Sequence, residues 1–315
     1  MDLRKATLLC FLTVSTSLPS KGHCLEAVGK GPIVRHKEKS EVTASEFTSK
    51  MVQLPGLAMR YVDTGVNGQA VILLHANTGT LESWKHQIQE LSNRGYRVIA
   101  FDRRGWGESI GSPGSELTIS VAEDLDALTR HLGIKRFHLI GVAGGSYIVL
   151  DYAAWKPESV ISGVFAASTG EINEPEVLEL RKRAALPGFE QWPHFLRELS
   201  PSYRAANPEG TREWKRIEST SRQAGVRFQP TLRTPNTFKK LNRIKTRILV
   251  LSADNDFYAP PALMKLIHEQ LPNSTWSTIN NSGHAISWEQ PEEFEKEVIR
   301  FFKDGNQIKS TAKER

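Results

Sequence analysis

From about residue 70 to residue 303, short aliphatic runs alternate with stretches of helical periodicity, and that alternation leaves few architectures open. Val71–Leu74 is a continuous aliphatic run, the pattern of a strand buried on both faces. Trp84, Ile88 and Leu91 then recur at i, i+4 and i+7, one face of an amphipathic helix that Gly95 stops. Arg97–Phe101 reads as the next strand. Ser120-Val121-Ala122-Glu123 is a capping box, in which hydroxyl and carboxylate satisfy the first free N–H groups of a helix. Val121, Leu125, Leu128 and Leu132 give that helix its apolar face, and Gly133 ends it. Strand Phe137–Ile140, helix Ser146–Trp155 and strand Val160–Ala167 follow, then strand Arg247–Leu251, helix Pro261–Leu271, strand Thr275–Ile279 and helix Pro291–Phe302. This order predicts an α/β fold with a mainly parallel sheet flanked by helices on both faces. Met51–Leu54 and Leu57–Val62 around Pro55-Gly56 predict a hairpin ahead of it.

The alternation breaks once, from about Gly170 to Thr246. Pro-punctuated helical pieces there carry Trp192, Phe195, Leu199, Tyr203, Trp214 and Phe228. A stretch this long is not a structureless loop inside a compact domain, so residues 170–246 read as a helical cap inserted between two core segments, 49–169 and 247–304, with 305–315 as a tail. The chain of 315 residues is 39% hydrophobic and 24% charged, enough for one large core. Its net charge of +6 comes from scattered residues and reads as a solvated surface, with no nucleic-acid motif. Both cysteines, Cys10 and Cys24, precede the fold. Arg4 and Lys5 followed by the apolar run Ala6–Val14 predict a secretory signal over 1–24 and a secreted or periplasmic location, with a polar lead-in over 25–48. The alternative is an unstructured extension on a cytoplasmic protein. No interior run is long and apolar enough for a stable membrane span. The sequence implies no metal or organic cofactor, and the partner it implies is a small-molecule substrate.

The segment Leu139-Ile140-Gly141-Val142-Ala143-Gly144-Gly145-Ser146 carries a strand straight into a helix through a glycine-rich turn. A Gly-x-?-x-Gly turn of this kind pushes its central residue onto a strained tip, and small neighbours relieve the crowding. The central residue here is Ala143, whose methyl group cannot attack a carbonyl. Four further landmarks stand in order around it: His75-Ala76-Asn77-Thr78-Gly79, Phe101-Asp102-Arg103-Arg104-Gly105-Trp106-Gly107-Glu108-Ser109, Ala253-Asp254-Asn255-Asp256 with Pro260 behind it, and Ser282-Gly283-His284. Together the five resemble the α/β-hydrolase fold superfamily over about residues 50–303. Within it the chain is similar to a bacterial subgroup with Gly-x-Ala-x-Gly at the elbow, which shares the Arg-Arg-Gly-Trp-Gly loop and the stretch Tyr-Arg-Ala-Ala-Asn-Pro-Glu-Gly at 203–210.

The resemblance implies a set of roles. Ala143 occupies the nucleophile position, His284 is the general base, and Asp256 orients it, with Asp254 as the rival carboxylate. The backbone N–H groups of Asn77 and Gly144 form the oxyanion hole, to which the Asn77 side chain can add a donor. Tyr258, Trp106, Trp192 and Tyr203 are the candidate substrate contacts, although packing is the stronger reading for Trp106 and for the aromatics of the cap. Arg103 and Arg104 read as structural or surface residues, and Ser146 lies too far into its helix to replace the nucleophile. The expected activity is on a small or medium, partly apolar ester, lactone or ketone, with a His-Asp dyad and no serine nucleophile. Two alternatives stand beside it: an esterase or lactonase with an engineered Ser-to-Ala change at 143, and a non-catalytic ligand-binding pseudoenzyme. Loss of the nucleophile from a Ser-His-Asp enzyme costs about 10⁶ in kcat, so a natural alanine requires chemistry without a covalent step.

Overall fold

The computed structural model describes residues 48–112, 119–222 and 232–313, which belong to one compact unit, Glu46–Arg315. The expected signal segment 1–24 and nearly all of the lead-in 25–48 lie outside the described residues, as does Phe228. Strands β1 (Lys50–Leu54) and β2 (Leu57–Asp63) form the expected antiparallel hairpin, with Gly56 at φ 64° in its turn. The remaining core strands are β3 (Ala70–Leu74), β4 (Arg97–Phe101), the two-residue β5 (Ile110–Gly111), β6 (Phe137–Val142), β7 (Val160–Ala166), β8 (Ile248–Ala253) and β9 (Ser274–Ile279). Their order is β1-β2-β4-β3-β6-β7-β8-β9, with β5 on β2, and every pairing from β4 to β9 is parallel.

Two apolar layers cover the sheet. On one face lie Leu125 and Leu128 of α2 (Val121–His131), Ile148 and Tyr152 of α3 (Gly144–Trp155), and Leu263 and Ile267 further along the chain. Ile88 and Leu91 of α1 (Lys85–Asn93) pack on the other face with Phe294, Val298 and Phe302. The side chains of β3, β6 and β8 are buried throughout, which is why these strands read as unbroken aliphatic runs. Ser120 and Glu123 close the capping box at α2, and Gly95 and Gly133 adopt φ 84° and 68° after their helices.

Between β7 and β8 the chain forms α4 (Pro175–Ala184), a 3₁₀ turn at Phe189–Gln191, α5 (His194–Glu198), α6 (Pro201–Ala206), α7 (Pro208–Ser221) and α8 (Phe238–Leu241). Leu199, Trp214, Ile217 and Trp288 make a small core of their own there. Three more helices complete the described residues: α9 (Pro261–Glu269), α10 (Ile286–Glu289) and α11 (Pro291–Lys313). Helix α11 runs to Lys313, so the tail expected from 305 is helical. No proline interrupts 303–313, and Gly305 sits so close to the Arg247 guanidinium that an added Cβ would lie 1.7 Å from it. None of the described helices is long and apolar enough to cross a membrane.

The strand order also locates a crevice. From β3 the chain moves outward to β4 on one side, then returns to place β6 on the other. Loops leaving neighbouring strands in opposite directions open a gap at their carboxyl ends, where ligands bind in open α/β sheets. Here those ends carry Asn77 and Ala143.

Candidate active site

At the end of β6, Ala143 holds φ 48° and ψ −116°, a region that L-residues enter only under about 1–3 kcal/mol of strain. The surroundings leave the backbone no alternative. Ala143 N–H donates to Ala166 O (3.0 Å), and Ser168 Oγ donates to Ala143 O (2.8 Å). A Cβ on Gly145 would stand 2.1 Å from Leu74 O, and one on Gly141 would stand 2.6 Å from the Gly145 carbonyl. The residues two positions before and after the tip must therefore be glycine. Ser146 Oγ lies 2.7 Å from Gly141 O and accepts from Ala166 N at 3.1 Å, so its hydroxyl is committed inside the turn.

The loop after β3 faces this elbow. The Asn77 side chain rests on Gly144, where an added Cβ would meet Oδ1 at 2.2 Å. His75 is a strut beneath it. Its Nδ1 lies 2.7 Å from Ala76 O and its Nε2 accepts from Arg103 N at 3.0 Å. That pairing requires the neutral ring, and burial, with the Arg103 charge, holds its pKa well below 6.5. Asp102 ties the next loop by accepting from Leu81 N (2.8 Å) and Glu108 N (3.1 Å), and Gly107, at φ 51°, leaves room for that carboxyl. Neither arginine of this loop is at the surface. Arg104 forms an ion pair with Asp124 in which both side chains are almost fully buried. Arg103 is wholly buried and bonds Asn77 Oδ1 (2.8 Å) and Ala76 O (3.1 Å).

Behind β8, Asp256 is buried and accepts from Tyr258 N (2.8 Å) and Ala259 N (3.0 Å). Both its oxygens also reach His284 Nδ1, at 3.0 and 2.9 Å. Asp254 instead holds the turn before His284, accepting from Asn281 N (3.0 Å) and Ser282 N (3.1 Å). Burial opposes a charge on His284, yet the carboxylates of Asp256, Glu198 and Glu289 outweigh it and raise the imidazole above 6.5. Its Nε2 has no hydrogen-bond partner among the described residues, and Tyr258 packs against the ring at 4.5 Å between centroids.

Two carboxyls here had no signal in the sequence. Glu198, at the end of α5, accepts from Thr78 Oγ1 at 2.7 Å and is raised in pKa by burial. It joins the loop after β3 to the His284 side of the site. Glu289 accepts from Gly283 N and Ser200 N, both at 3.0 Å, and burial pushes it to about 7. Of the expected substrate contacts, Tyr258 touches His284, and Trp106 donates Nε1–H to Asn77 O at 2.7 Å beside the elbow. Trp192 sits further out, edge-on to Phe189 and Phe257. Tyr203 packs on the small core of Leu199, Trp214, Ile217 and Trp288. Among the described residues no group of three or more His, Cys, Asp or Glu is arranged to hold a metal ion.

A family model described as alpha/beta hydrolase fold matches residues 69–207, and a second, described as TAP-like protein, matches 217–312. The chain has the α/β-hydrolase fold. Among its relatives is a 2-hydroxy-6-oxononadienedioate/2-hydroxy-6-oxononatrienedioate hydrolase of Burkholderia vietnamiensis, 25% identical over 84% of this chain and 97% of the relative. The solved structure of a thermophilic esterase from Thermogutta terrifontis, with malate bound, superposes with a TM-score of 0.65 at 25% identity, covering 82% of this chain and 99% of that one. A bromoperoxidase from Bacillus anthracis shares the fold, with a TM-score of 0.66 at 22% identity over 81% of this chain and all of its own.

Proposed function

We propose that this α/β-hydrolase-fold protein is an enzyme acting on a small or medium, partly apolar ester, lactone or ketone, using His284 and Asp256 as a general-base dyad without a covalent intermediate. The observation that carries this reading is the grip of both Asp256 oxygens on His284 Nδ1, which leaves Nε2 as the free basic nitrogen. On an ester, Nε2 takes a proton from water as the water oxygen bonds to the carbonyl carbon. The carbonyl electron pair moves onto oxygen, where the N–H groups of Gly144 and Asn77 hold the charge. Collapse expels the alkoxide, which takes the proton back from the imidazolium. Asp256 favours the imidazolium that forms in between. The helical insertion acts as the cap, presenting Glu198 toward Thr78 and His284. The hydrolase and esterase activities named for the relatives agree with this class of substrate. Ala143 keeps the strained elbow of a nucleophile without supplying one, which supports reading the chain as one of the alanine-bearing subgroup.

The test is a panel of p-nitrophenyl esters and a γ-lactone. Turnover should fall about 10²–10⁴-fold in His284→Ala. It should also rise with pH through a single limb above 6.5, because the base is active only when deprotonated. Ala143→Ser should raise ester hydrolysis and give a burst of the first product. Activity that is indifferent to His284→Ala would overturn the proposal, and binding without turnover would mark a ligand-binding protein.

A further inference from the structure

The segment Glu198-Leu199-Ser200 of the insertion is fastened to the turn that carries His284. Ala285 N donates to Glu198 O (3.0 Å), and the Glu289 carboxyl takes Gly283 N on one oxygen and Ser200 N on the other, both at 3.0 Å. The approach is so close that a Cβ on Gly283 would stand 2.7 Å from Glu198 O, so position 283 has room only for glycine. From this anchored backbone the Glu198 side chain reaches the loop after β3, where Thr78 Oγ1 donates to Oε2 at 2.7 Å. The residue is buried, and the charged or titratable groups that face it are His284, His194 and Arg197, with Tyr258 beside them. Burial raises its pKa, and the His284 imidazole pulls it back. Burying a carboxyl is unfavourable, and an apolar side chain would pack here without that cost.

What the carboxyl holds gives it a use. Thr78 follows Asn77, whose N–H is one of the two donors assigned to the developing oxyanion. From the core, Arg103 Nη2 holds Asn77 Oδ1 (2.8 Å) and Trp106 Nε1 holds its carbonyl (2.7 Å). Those contacts fix the loop to the elements around β4, and the Thr78–Glu198 bond ties it to the His284 turn as well. We propose that Glu198 is a positioning residue, a brace that holds the Asn77 oxyanion donor and the His284 base at one fixed separation. Its backbone is bonded to one side and its carboxyl to the other. A site without a covalent nucleophile has particular need of such a brace. Water and carbonyl must meet between base and donor with no bond to the protein holding the carbonyl in place, so their alignment rests on the spacing of these two groups. The inference rests on the site proposed above, and one arm of its test needs no turnover.

The test is a double-mutant cycle in the full chain. Glu198→Ala and Thr78→Val break the bond from opposite ends. Each should lower kcat on a p-nitrophenyl ester about 10–100-fold, with KM changed by no more than about twofold, the pattern of a misaligned reacting centre. The double variant should be no slower than the slower single, because both act through one contact. Glu198→Gln keeps a carbonyl that accepts from Thr78 and should recover kcat to within about 2–5-fold of wild type. Hydrogen–deuterium exchange over residues 75–80 reads the same contact without turnover. It should quicken about 10-fold in Glu198→Ala and in Thr78→Val, and stay close to wild type in Glu198→Gln and in His284→Ala. Should Glu198→Ala fail to fold, Thr78→Val against Glu198→Gln decides alone. Additive losses of kcat in the cycle overturn the proposal, as does exchange over 75–80 that is indifferent to Thr78→Val. The expected exchange pattern in a chain without turnover would support the brace and sink only the general-base reading.

Discussion

Ala143 adopts a conformation that a side-chain-bearing residue avoids, and it does so without the hydroxyl that gives such a turn its chemical purpose. The strain comes from its neighbours: β6 delivers the chain between Leu74 O of β3 and Ala166 O of β7, and α3 must start at once. A stability consequence follows that is independent of any activity. Replacing a buried alanine by glycine ordinarily destabilises, since glycine loses more freedom on folding, by about 0.5–1 kcal/mol. At φ 48° the sign reverses, because glycine removes about 1–3 kcal/mol of backbone strain and the methyl lost is small. Ala143→Gly should therefore raise the stability by about 0.5–2 kcal/mol, read from the urea midpoint at unchanged m-value. A drop of 1 kcal/mol or more would show that the tip is unstrained and that the elbow description is wrong.

At the scale of elements, the loop between β4 and β5 is fastened by buried charge as well as by apolar packing. Arg104 reaches Asp124 on α2 and donates to Gly56 O in the first hairpin, linking three elements that are distant in sequence. Removing one member of a buried pair strands the other, at a cost of about 3–5 kcal/mol, whereas replacing both by apolar groups is often neutral. Asp124→Leu alone should lower stability by that amount in urea titrations, and Arg104→Met with Asp124→Leu should recover most of it. No recovery would mean the pair is needed for the shape of the loop. This pair also shows what the sequence could and could not reveal. Ser120 and Glu123 were legible because capping partners sit three residues apart. Asp256 and His284 are 28 residues apart but fall on turns after successive strands, so topology made their meeting predictable. Arg103 and Arg104 are adjacent and alike in sequence, and only packing separates a paired cation from an unpaired one. Glu198 was invisible because the short helices of the insertion carry no periodic pattern. Helix α10 and strand β5, at four and two residues, are too short to display one.

For the whole molecule, the buried acids set how stability depends on pH. Burial raises Asp102 to about 6, and Glu289 and Glu295 to about 7. In the unfolded chain the same groups return to 3.8, 4.5 and 4.5. Between about pH 4.5 and 7 the folded protein therefore holds protons that the unfolded chain has released, and stability falls as pH rises. His284, raised above 6.5, acts in the same direction: its contribution is full below pH 6.5 and is lost as pH climbs through its folded pKa. His75 and His86 oppose this, since burial keeps both neutral when folded while the unfolded chain protonates them below 6.5. Burial raises Asp124, Glu198 and Glu171 as well, so six carboxyls and one histidine stand against two histidines, the stability maximum should lie near pH 5, and urea midpoints should decline from there to about pH 7.5. Glu295 isolates the cause. It is buried and bonds Gln87 Nε2 at 3.1 Å, a contact that the carbonyl of a glutamine can also make. Glu295→Gln should match wild type at pH 5 and exceed it by about 1–3 kcal/mol at pH 8, where wild type carries a buried charge and the variant does not. A difference that is the same at both pH values would show that this carboxyl never titrates between them, and would leave the acid-side maximum without its main source.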